Sequence, residues 1–311
     1  MSFFSVIIPL YNKEAHILDT LKSIFDQNFK DYEIIIVNDG STDNSWEKIK
    51  DLENSKLKTF NNENQGVSQA RNFAMKQAKG DYFTFLDADD IWGENHLQDL
   101  FKLTLDYPNC GLYCTNYTYD YGNDFIVKPI FPTLPKNNDW KGIVSDFFLA
   151  SLKFRIATTI SVAIPNKIVN TIGYFDTNFT SGQDTDYWTR IALLYPVAFT
   201  KKTSAVINIA ADNRISNTHP SKRKFMTFEK FLEDEKTNTS LKKFNDMYRS
   251  ELAIKHKIVG DTKTADFYKS NIDYANINWK KKILLKLPNS ILMPLWKFKQ
   301  WLKTKKIDSY I

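Results

Sequence analysis

The 311-residue sequence predicts an α/β protein, a mainly parallel sheet flanked by helices, with a helical extension at the C-terminal end. Three observations carry that expectation. Short apolar runs alternate with amphipathic stretches over the first third of the chain, the pattern of βαβ units. An aspartate-rich turn lies just past one of those runs, at the carboxyl end of a buried strand, where open α/β sheets bind ligands. From Pro220 onward the composition turns Lys- and Phe-rich, with helical spacing and no strand signal. The expected division is therefore a domain over 1–218, with halves 1–120 and 121–218, and a basic helical extension over 219–311.

In chain order, Phe4 to Pro9 reads as a first buried strand and Glu33 to Val37 (E-I-I-I-V) as a second. Ile17, Leu18, Leu21, Ile24 and Phe25 recur between them at helical spacing and complete one crossover unit. Asp39 to Asp43 supplies turn and capping chemistry for a helix expected to run to about Leu52. Lys56 to Phe60 is a third strand. Asn64-Gln65-Gly66 turns into a helix ending near Lys79, and Asp81 to Leu86 (D-Y-F-T-F-L) is a fourth strand. Asn95 to Tyr107 reads as helix, Leu112 to Tyr119 as strand, and Pro129, Pro132 and Pro135 mark a long loop. Thr158 to Ile164 reads as a return strand, and Asp184 to Leu194 has helical spacing.

A length about twice the ~150-residue domain prior allows a substantial core. With 42% hydrophobic, 14% aromatic and 25% charged residues, disordered, collagenous and disulfide-scaffold classes are excluded. The net charge of +6 is local: Lys280 to Ile311 holds nine lysines against Asp308, so the preceding residues sum to −2. The basic balance is therefore no footprint of a nucleic-acid binder. Cys110 and Cys114, spaced C-x-x-x-C, match neither a zinc ribbon nor a redox pair and suggest a reducing compartment. The N-terminus lacks a basic n-region, and no uncharged apolar run approaches the ~20 residues of a membrane span. A cytoplasmic protein is expected.

Asp87-Ala88-Asp89-Asp90 is the strongest chemical signal. Several carboxylates on one turn cannot all ionise cheaply without a cation, and hard divalent metals take such oxygens while keeping positions free for phosphate. A metal-diphosphate site follows, against the alternative of a solvated turn capping the next helix. Around this turn stand V-I-I-P-L-Y-N-K-E from Val6, I-I-V-N-D-G-S-T-D from Ile35, N-Q-G-V-S-Q-A-R-N from Asn64 and F-L-D-A-D-D-I-W from Phe85. In this order they resemble the nucleotide-sugar-binding half of family 2 glycosyltransferases, which have the GT-A fold. The resemblance covers about the first 120 residues, with a further stretch from Gly173 to Arg190.

The resemblance implies a donor site drawn from Pro9, Tyr11, Glu14, Asp39, Arg71, Asp87 and Asp89. Tyr11 would stack on the base of the donor, Asp39 would accept a base N–H, and Arg71 would approach the base and diphosphate; the alternatives are an ordinary loop tyrosine, a cap on the next helix and a salt bridge to a nearby aspartate. Asp87 would contact the ribose or sugar, and Asp89 would ligate Mg2+ or Mn2+. Asp90 would support the loop or the donor sugar. Asn38 stands where the family usually has a second acid, which leaves base specificity open. Gly173-Tyr174-Phe175-Asp176 and Gly182 to Arg190 resemble the acceptor segment, with Gln183 replacing the usual Glu and Asp184 as general base. Gln183 and Trp188 join Asp90 as acceptor-site or supporting residues. The alternative for Asp184 is a cap on the Tyr187 to Leu194 helix. A histidine of the family is missing: alanines stand at 210 and 211, and His219 and Arg214 are the nearby candidates for the diphosphate.

The implied activity is inverting transfer of a sugar from a nucleoside diphosphate, a UDP-sugar by expectation, to a saccharide or lipid-linked acceptor hydroxyl in bacterial surface polysaccharide synthesis. A degenerate binding or scaffold protein remains open because Asn38, Gln183 and Ala211 depart from the pattern. A nucleotidyltransferase is disfavoured because Leu10 to Glu14 contains no glycine-rich phosphate loop. In the tail, W-K-K-K-I-L-L-K-L from Trp279 and L-W-K-F-K-Q-W-L-K from Leu295 suit a peripheral contact with anionic membrane over 279–306, broken into short segments by Pro288 and Pro294. The alternative is an amphipathic helix packed on the protein with a solvated lysine face.

Overall fold

The computed structural model describes residues 2–304, and the chain divides into two compact units, Met1–Asn217 and Thr218–Ile311. The first is built on one ten-stranded sheet. Its strands are β1 (Phe4–Leu10), β2 (Tyr32–Asp39), β3 (Leu57–Asn62), β4 (Tyr82–Phe85), β5 (Ile91–Trp92), β6 (Leu112–Asp120), β7 (Ile126–Val127), β8 (Lys141–Ile143), β9 (Val162–Pro165) and β10 (Val197–Asn208). The order is β3-β2-β1-β4-β9-β6-β10-β5, with β7 on β6 and β8 on β10. Strands β3, β2, β1 and β4 are parallel throughout, whereas β9 runs antiparallel to both of its neighbours. Helices on both faces explain the unbroken apolar runs: Val6, Ile7, Ile8 and Ile34 to Val37 are all buried. Pro9 is tolerated in this central strand because β4 pairs only as far as Ile7, and beyond that point β1 has β2 alone.

The helices of this unit are α1 (Ile17–Phe25), α2 (Val67–Gln77), α3 (His96–Asp106), α4 (Phe147–Ala150), α5 (Val169–Ile172) and α6 (Gln183–Leu194). α2 packs on β1 and β2, and α3 on β6 and β10. The helix expected up to Leu52 is instead a series of turns. Its polar side chains serve other backbone groups: Ser45 Oγ accepts from Lys13 N at 2.7 Å and Asp43 from Glu14 N at 3.1 Å, the competition that keeps Ser and Asp out of helix interiors. β10 escapes the sequence pattern because Lys201 and Lys202 interrupt its alternation, and the pairing with β6 shifts register there. Thr159–Ser161 of the expected return strand is a 3-10 turn leading into β9.

The second unit is helical: α7 (Leu232–Thr237), α8 (Thr239–Ile258), α9 (Thr262–Ser270), α10 (Trp279–Lys286) and α11 (Asn289–Thr304). Asn238, Asp261 and Asn278 cap α8, α9 and α10 through side-chain oxygens. α9, α10 and α11 all pack on α8. Pro288 separates α10 from α11 as expected, but Pro294 lies inside α11 and gives up one backbone bond there without ending the helix. Among the described residues, no helix is long and apolar enough to cross a membrane. Residues 305 and 306 of the expected membrane contact lie outside the described residues.

Candidate active site

Parallel neighbours end side by side, so the chain leaving β1, β2 and β4 gathers at one edge of the sheet. Asn12 takes a left-handed backbone (φ 50°), and its amide group exchanges hydrogen bonds with Thr42, fixing the β1 loop to the β2 loop. Gly40 turns at φ +71°, and a Cβ there would meet Asn64 N at 2.8 Å, so this close approach needs glycine. Glu14 is a brace in the same junction, accepting from Asn44 N at 2.8 Å.

Asp39 is buried at the end of β2, and its two oxygens accept from Gln65 N and Gly66 N at 2.8 Å each. Burial pushes its carboxyl up, against the pull of those two bonds. The carboxylate thereby holds the turn into α2, and second lone pairs on both oxygens are left for a ligand N–H. A cavity of about 480 Å3 lies beside it, lined by Asn61, Gln65, Gln69 and Phe73 among others. Asn38 donates to Asn61 Oδ1 at 2.7 Å, so the amide at the family's second acid position has a partner on β3. Tyr11 is 45% exposed, and an exposed aromatic ring suits stacking on a planar ligand.

The Asp87 to Asp90 turn meets three cations from three distant parts of the chain. Arg71 Nη2 lies 2.5 Å from Asp87 Oδ1, and Lys13 Nζ lies 2.9 Å from Asp89 Oδ2. Arg214 Nη1 stands 3.6 Å from Asp89 and 3.7 Å from Asp90. Asp90 accepts from Asn208 N at 2.8 Å. Its burial, with the Asp89 and Asp87 carboxylates alongside, holds its carboxyl well above the usual range despite Arg214. That makes Asp90 a brace between the turn and the end of β10. The cations are not exhausted: Arg71 Nε and Nη1 and Arg214 Nε are buried with no hydrogen-bond partner among the described residues. Unspent guanidinium donors beside an acidic turn suit a ligand that is itself anionic, such as a diphosphate.

Among the described residues, no three His, Cys, Asp or Glu side chains form a metal-holding group. Magnesium-type sites need fewer, because such ions bind through one or two carboxylates plus substrate phosphates. Asp89, with Asp87 on the same turn, fits that donor set. The chain after β10 closes on this edge: Lys13 Nζ donates to the Asp212 carbonyl at 2.5 Å, and His16 Nε2 lies 3.0 Å from Asp212 Oδ1. Ala211 is buried here, while exposed His219 belongs to the other compact unit and bonds Ser221.

On the other side of the sheet order, Gly182 is the N-cap residue of α6 in a left-handed conformation, so Asp184 lies in the first helical turn and is not the cap. An acid there is favoured by the helix dipole and is held on a rigid element. Asp184 Oδ1 accepts from Thr185 N at 2.8 Å, and the residue is half-buried. Gln183 is buried, and its Oε1 has no partner among the described residues. Trp188 is 2% exposed and packs on Phe85 and Phe175, so its ring is core support beneath the turn.

Two residues of this edge escape sequence reasoning. Lys13 was readable only as part of a motif; the signal that finds it is strand order, since β1 and β4 are neighbours and the residues following them must meet. Asn72 shows its role only against Phe175, 103 residues away, with no sequence signal for the contact.

Three comparisons bear on this arrangement. The family model of glycosyl transferase family 2 matches residues 5–165. UDP-Glc:alpha-D-GlcNAc-diphosphoundecaprenol beta-1,3-glucosyltransferase WfaP of Escherichia coli is 34% identical over 145 residues, 44% of this chain and 54% of that protein. Glycosyltransferase GlyG of Streptococcus pneumoniae serotype 4 is 32% identical over 166 residues, 48% of this chain and 55% of its own. The chain thus spans about half the length of these curated relatives. Among solved structures, S. aureus TarS 1–349 in complex with UDP-GlcNAc shares the fold at a TM-score of 0.59 and 20% identity, covering 92% of this chain and 78% of that one. The family match runs from β1 through β9, the stretch that brings Lys13, Asp39, Arg71 and the Asp87 to Asp90 turn to one edge, and the chain accordingly belongs to glycosyl transferase family 2, with the GT-A fold.

Proposed function

We propose that the protein transfers a sugar, with inversion, from a UDP-sugar to an acceptor hydroxyl on a saccharide or lipid-linked saccharide during bacterial cell-surface polysaccharide synthesis. The observation that carries this reading is the convergence of Arg71, Lys13 and Arg214 on the Asp87 to Asp90 turn, with guanidinium donors to spare. Support for the donor and acceptor classes comes from the similarity to WfaP, a UDP-Glc-dependent glucosyltransferase that acts on a GlcNAc-diphosphoundecaprenol, and to TarS, which has a UDP-GlcNAc complex.

In this reading Tyr11 stacks on the base, Asp39 accepts the base N–H, and Arg71 and Arg214 hold diphosphate oxygens. Asp89, with Asp87, would hold Mg2+ or Mn2+, an ion that when bound offsets charge on the leaving diphosphate. Asp184 takes the proton of the acceptor hydroxyl as its oxygen attacks the anomeric carbon and the C–O bond to the diphosphate breaks. Donor-binding residues lie in 1–120 and the acceptor side in 121–218. A panel of nucleotide sugars, screened for metal-dependent transfer and hydrolysis, tests the reading. Asp184→Asn should lower transfer by about 10²–10⁴-fold, the range of general-base contributions, while UDP binding by calorimetry is kept. Nucleotide binding without turnover of any donor would favour the degenerate binding protein.

The same reading places the enzyme at the inner face of the cell membrane. α10 and α11 each turn one leucine, Leu285 and Leu292, into the helical unit, and leave Trp279, Ile283, Ile291, Leu295 and Phe298 between 45% and 66% exposed. Ile291, Leu295 and Phe298 follow i, i+4, i+7 spacing, and Lys280, Lys282, Lys286 and Lys297 lie among these apolar positions. Apolar anchors with basic neighbours suit an anionic interface, at about 1 kcal/mol per lysine near the surface. Binding to phosphatidylglycerol vesicles should weaken with salt and with Lys280, Lys282, Lys286 and Lys297 changed to Gln. Binding that ignores both would reduce this surface to a solvated face.

A further inference from the structure

Asn72 follows Arg71 on α2 and is buried. Both ends of its side-chain amide engage one distant residue: Nδ2 donates to the Phe175 carbonyl at 2.8 Å, and Oδ1 accepts from Phe175 N at 3.0 Å. A two-point bond from a short side chain to a backbone fixes orientation as well as distance, and here it joins residues 103 apart. The segment it grips is also held from the other side. Arg190 on α6 donates to the Ile172 and Tyr174 carbonyls, and Tyr187 Oη donates to the Gly173 carbonyl at 3.0 Å. The Phe175 ring stacks on Tyr187 with centroids 4.3 Å apart and meets Trp188 edge-on at 5.8 Å. The Arg71 guanidinium carbon lies 5.5 Å from that same ring, while its Nη2 bonds Asp87.

Residues 172–175 are therefore a spacer with one face on α2 and the other on α6. α2 presents Arg71 to Asp87, and the first turn of α6 carries Asp184. We propose that Asn72 is a positioning residue for sugar transfer: by gripping the Phe175 backbone it sets the spacing between the Arg71–Asp87 side, which holds the donor, and the helix that carries Asp184. This rests on the glycosyl-transfer reading above. A hydrogen-bonded backbone spacer is stiff, and displacements near 1 Å between reacting groups cost about 10²-fold in rate. Asn72 touches no reacting atom, so its loss acts on geometry and leaves the donor contacts in place.

Asn72→Ala removes both bonds, and Asn72→Asp keeps the shape and the acceptor for Phe175 N while facing the Phe175 carbonyl with an oxygen. Both should bind UDP within about threefold of the parent and lose about 30- to 100-fold in kcat for transfer, with donor hydrolysis falling less because water tolerates a displaced base. Hydrogen exchange should quicken over 172–187 and stay unchanged in β1 and β2. The milder Asn72→Ser keeps the test open if the alanine variant folds poorly. Unchanged exchange over 172–187 would overturn the proposal, as would transfer, hydrolysis and UDP affinity falling together with the folded fraction. A parent protein that binds UDP and turns over no donor would remove the glycosyl-transfer reading, and this proposal with it, whatever exchange shows.

Discussion

Two buried charge clusters, one in each compact unit, show how differently a fold can use the same residue types. In the helical unit, Arg249 forms a two-point pair with Glu235 and reaches Asp246 at 3.0 Å. Asn245 donates to Glu235, and Lys242 to Asp246, whose second oxygen takes Asp273 N and the Asn276 amide. Every carboxylate oxygen there has a partner, and the one member atom buried without a partner among the described residues, Asn245 Oδ1, is uncharged. At the Asp87 to Asp90 turn the acids also meet cations, yet Arg71 and Arg214 keep buried donors with no partner among the described residues. A closed network holds helices together; an open one has capacity left for an anion. The residue types are alike in the two places, and the difference is whether the charged groups have their hydrogen bonds complete.

That contrast can be broken most forcefully at Arg249. Arg249→Met leaves Glu235 and Asp246 buried with a reduced set of donors and should cost about 3–5 kcal/mol in denaturant unfolding, the usual penalty for removing one partner of a buried pair. A loss under about 1 kcal/mol would mean that Glu235 and Asp246 do not depend on Arg249 for their buried hydrogen bonds. At the open cluster the largest effect should fall on binding. Arg71→Lys retains the charge and loses the fork, and UDP affinity by calorimetry should drop about 10- to 100-fold, with stability changing by less than at Arg249.

An uncharged buried site calibrates both. His96 stacks on Trp92, bonds Ser204 Oγ at 2.9 Å, and burial pushes its pKa down to about 3. The unfolded chain takes up this proton near pH 6.5 and the folded one only near 3, so the stabilising neutral form counts fully above 6.5 and is lost as pH falls between those values. Stability should decline by about 1.4 kcal/mol per pH unit across that window, and His96→Gln should remove this slope from a urea titration series. The smallest effect is expected at Asp90, whose carboxyl already resists ionisation. Asp90→Asn should change unfolding stability by less than about 1 kcal/mol at about pH 4, the ordinary carboxylate value that Asp90 lies well above, whereas a large loss would show that its charge, and not its hydrogen bond to Asn208, holds the end of β10.

Much of the first 120 residues was legible in advance, for a local reason. Phe4 to Pro9, Glu33 to Val37 and Asp81 to Leu86 are apolar runs that only a two-sided parallel sheet can bury, and α1 follows from helical spacing alone. The Asp87 to Asp90 turn was legible because three like charges within four positions demand an explanation within the segment itself. Where local rules compete, the reading failed. Asp43 and Ser45 could cap a helix or bond the Lys13–Glu14 backbone, and the second outcome prevails because β1 delivers that backbone beside them. β10 was hidden by Lys201 and Lys202, which sit at a register shift.

The sequence by itself determined the α/β class, the buried strands of the first 120 residues as they follow one another along the chain, and the identity of the acidic turn, since periodicity and charge density are properties of neighbours along the chain. Only the tertiary structure decided that Lys13, Arg71 and Arg214 share that turn, that Asp39 braces the start of α2, and that Asn72 grips Phe175. Each of these joins residues between 16 and 125 positions apart (Arg71–Asp87 to Lys13 and Arg214 about Asp89), and such meetings depend on strand order and register. Short-range patterns carry no record of them, because the energy that selects them comes from packing the whole sheet.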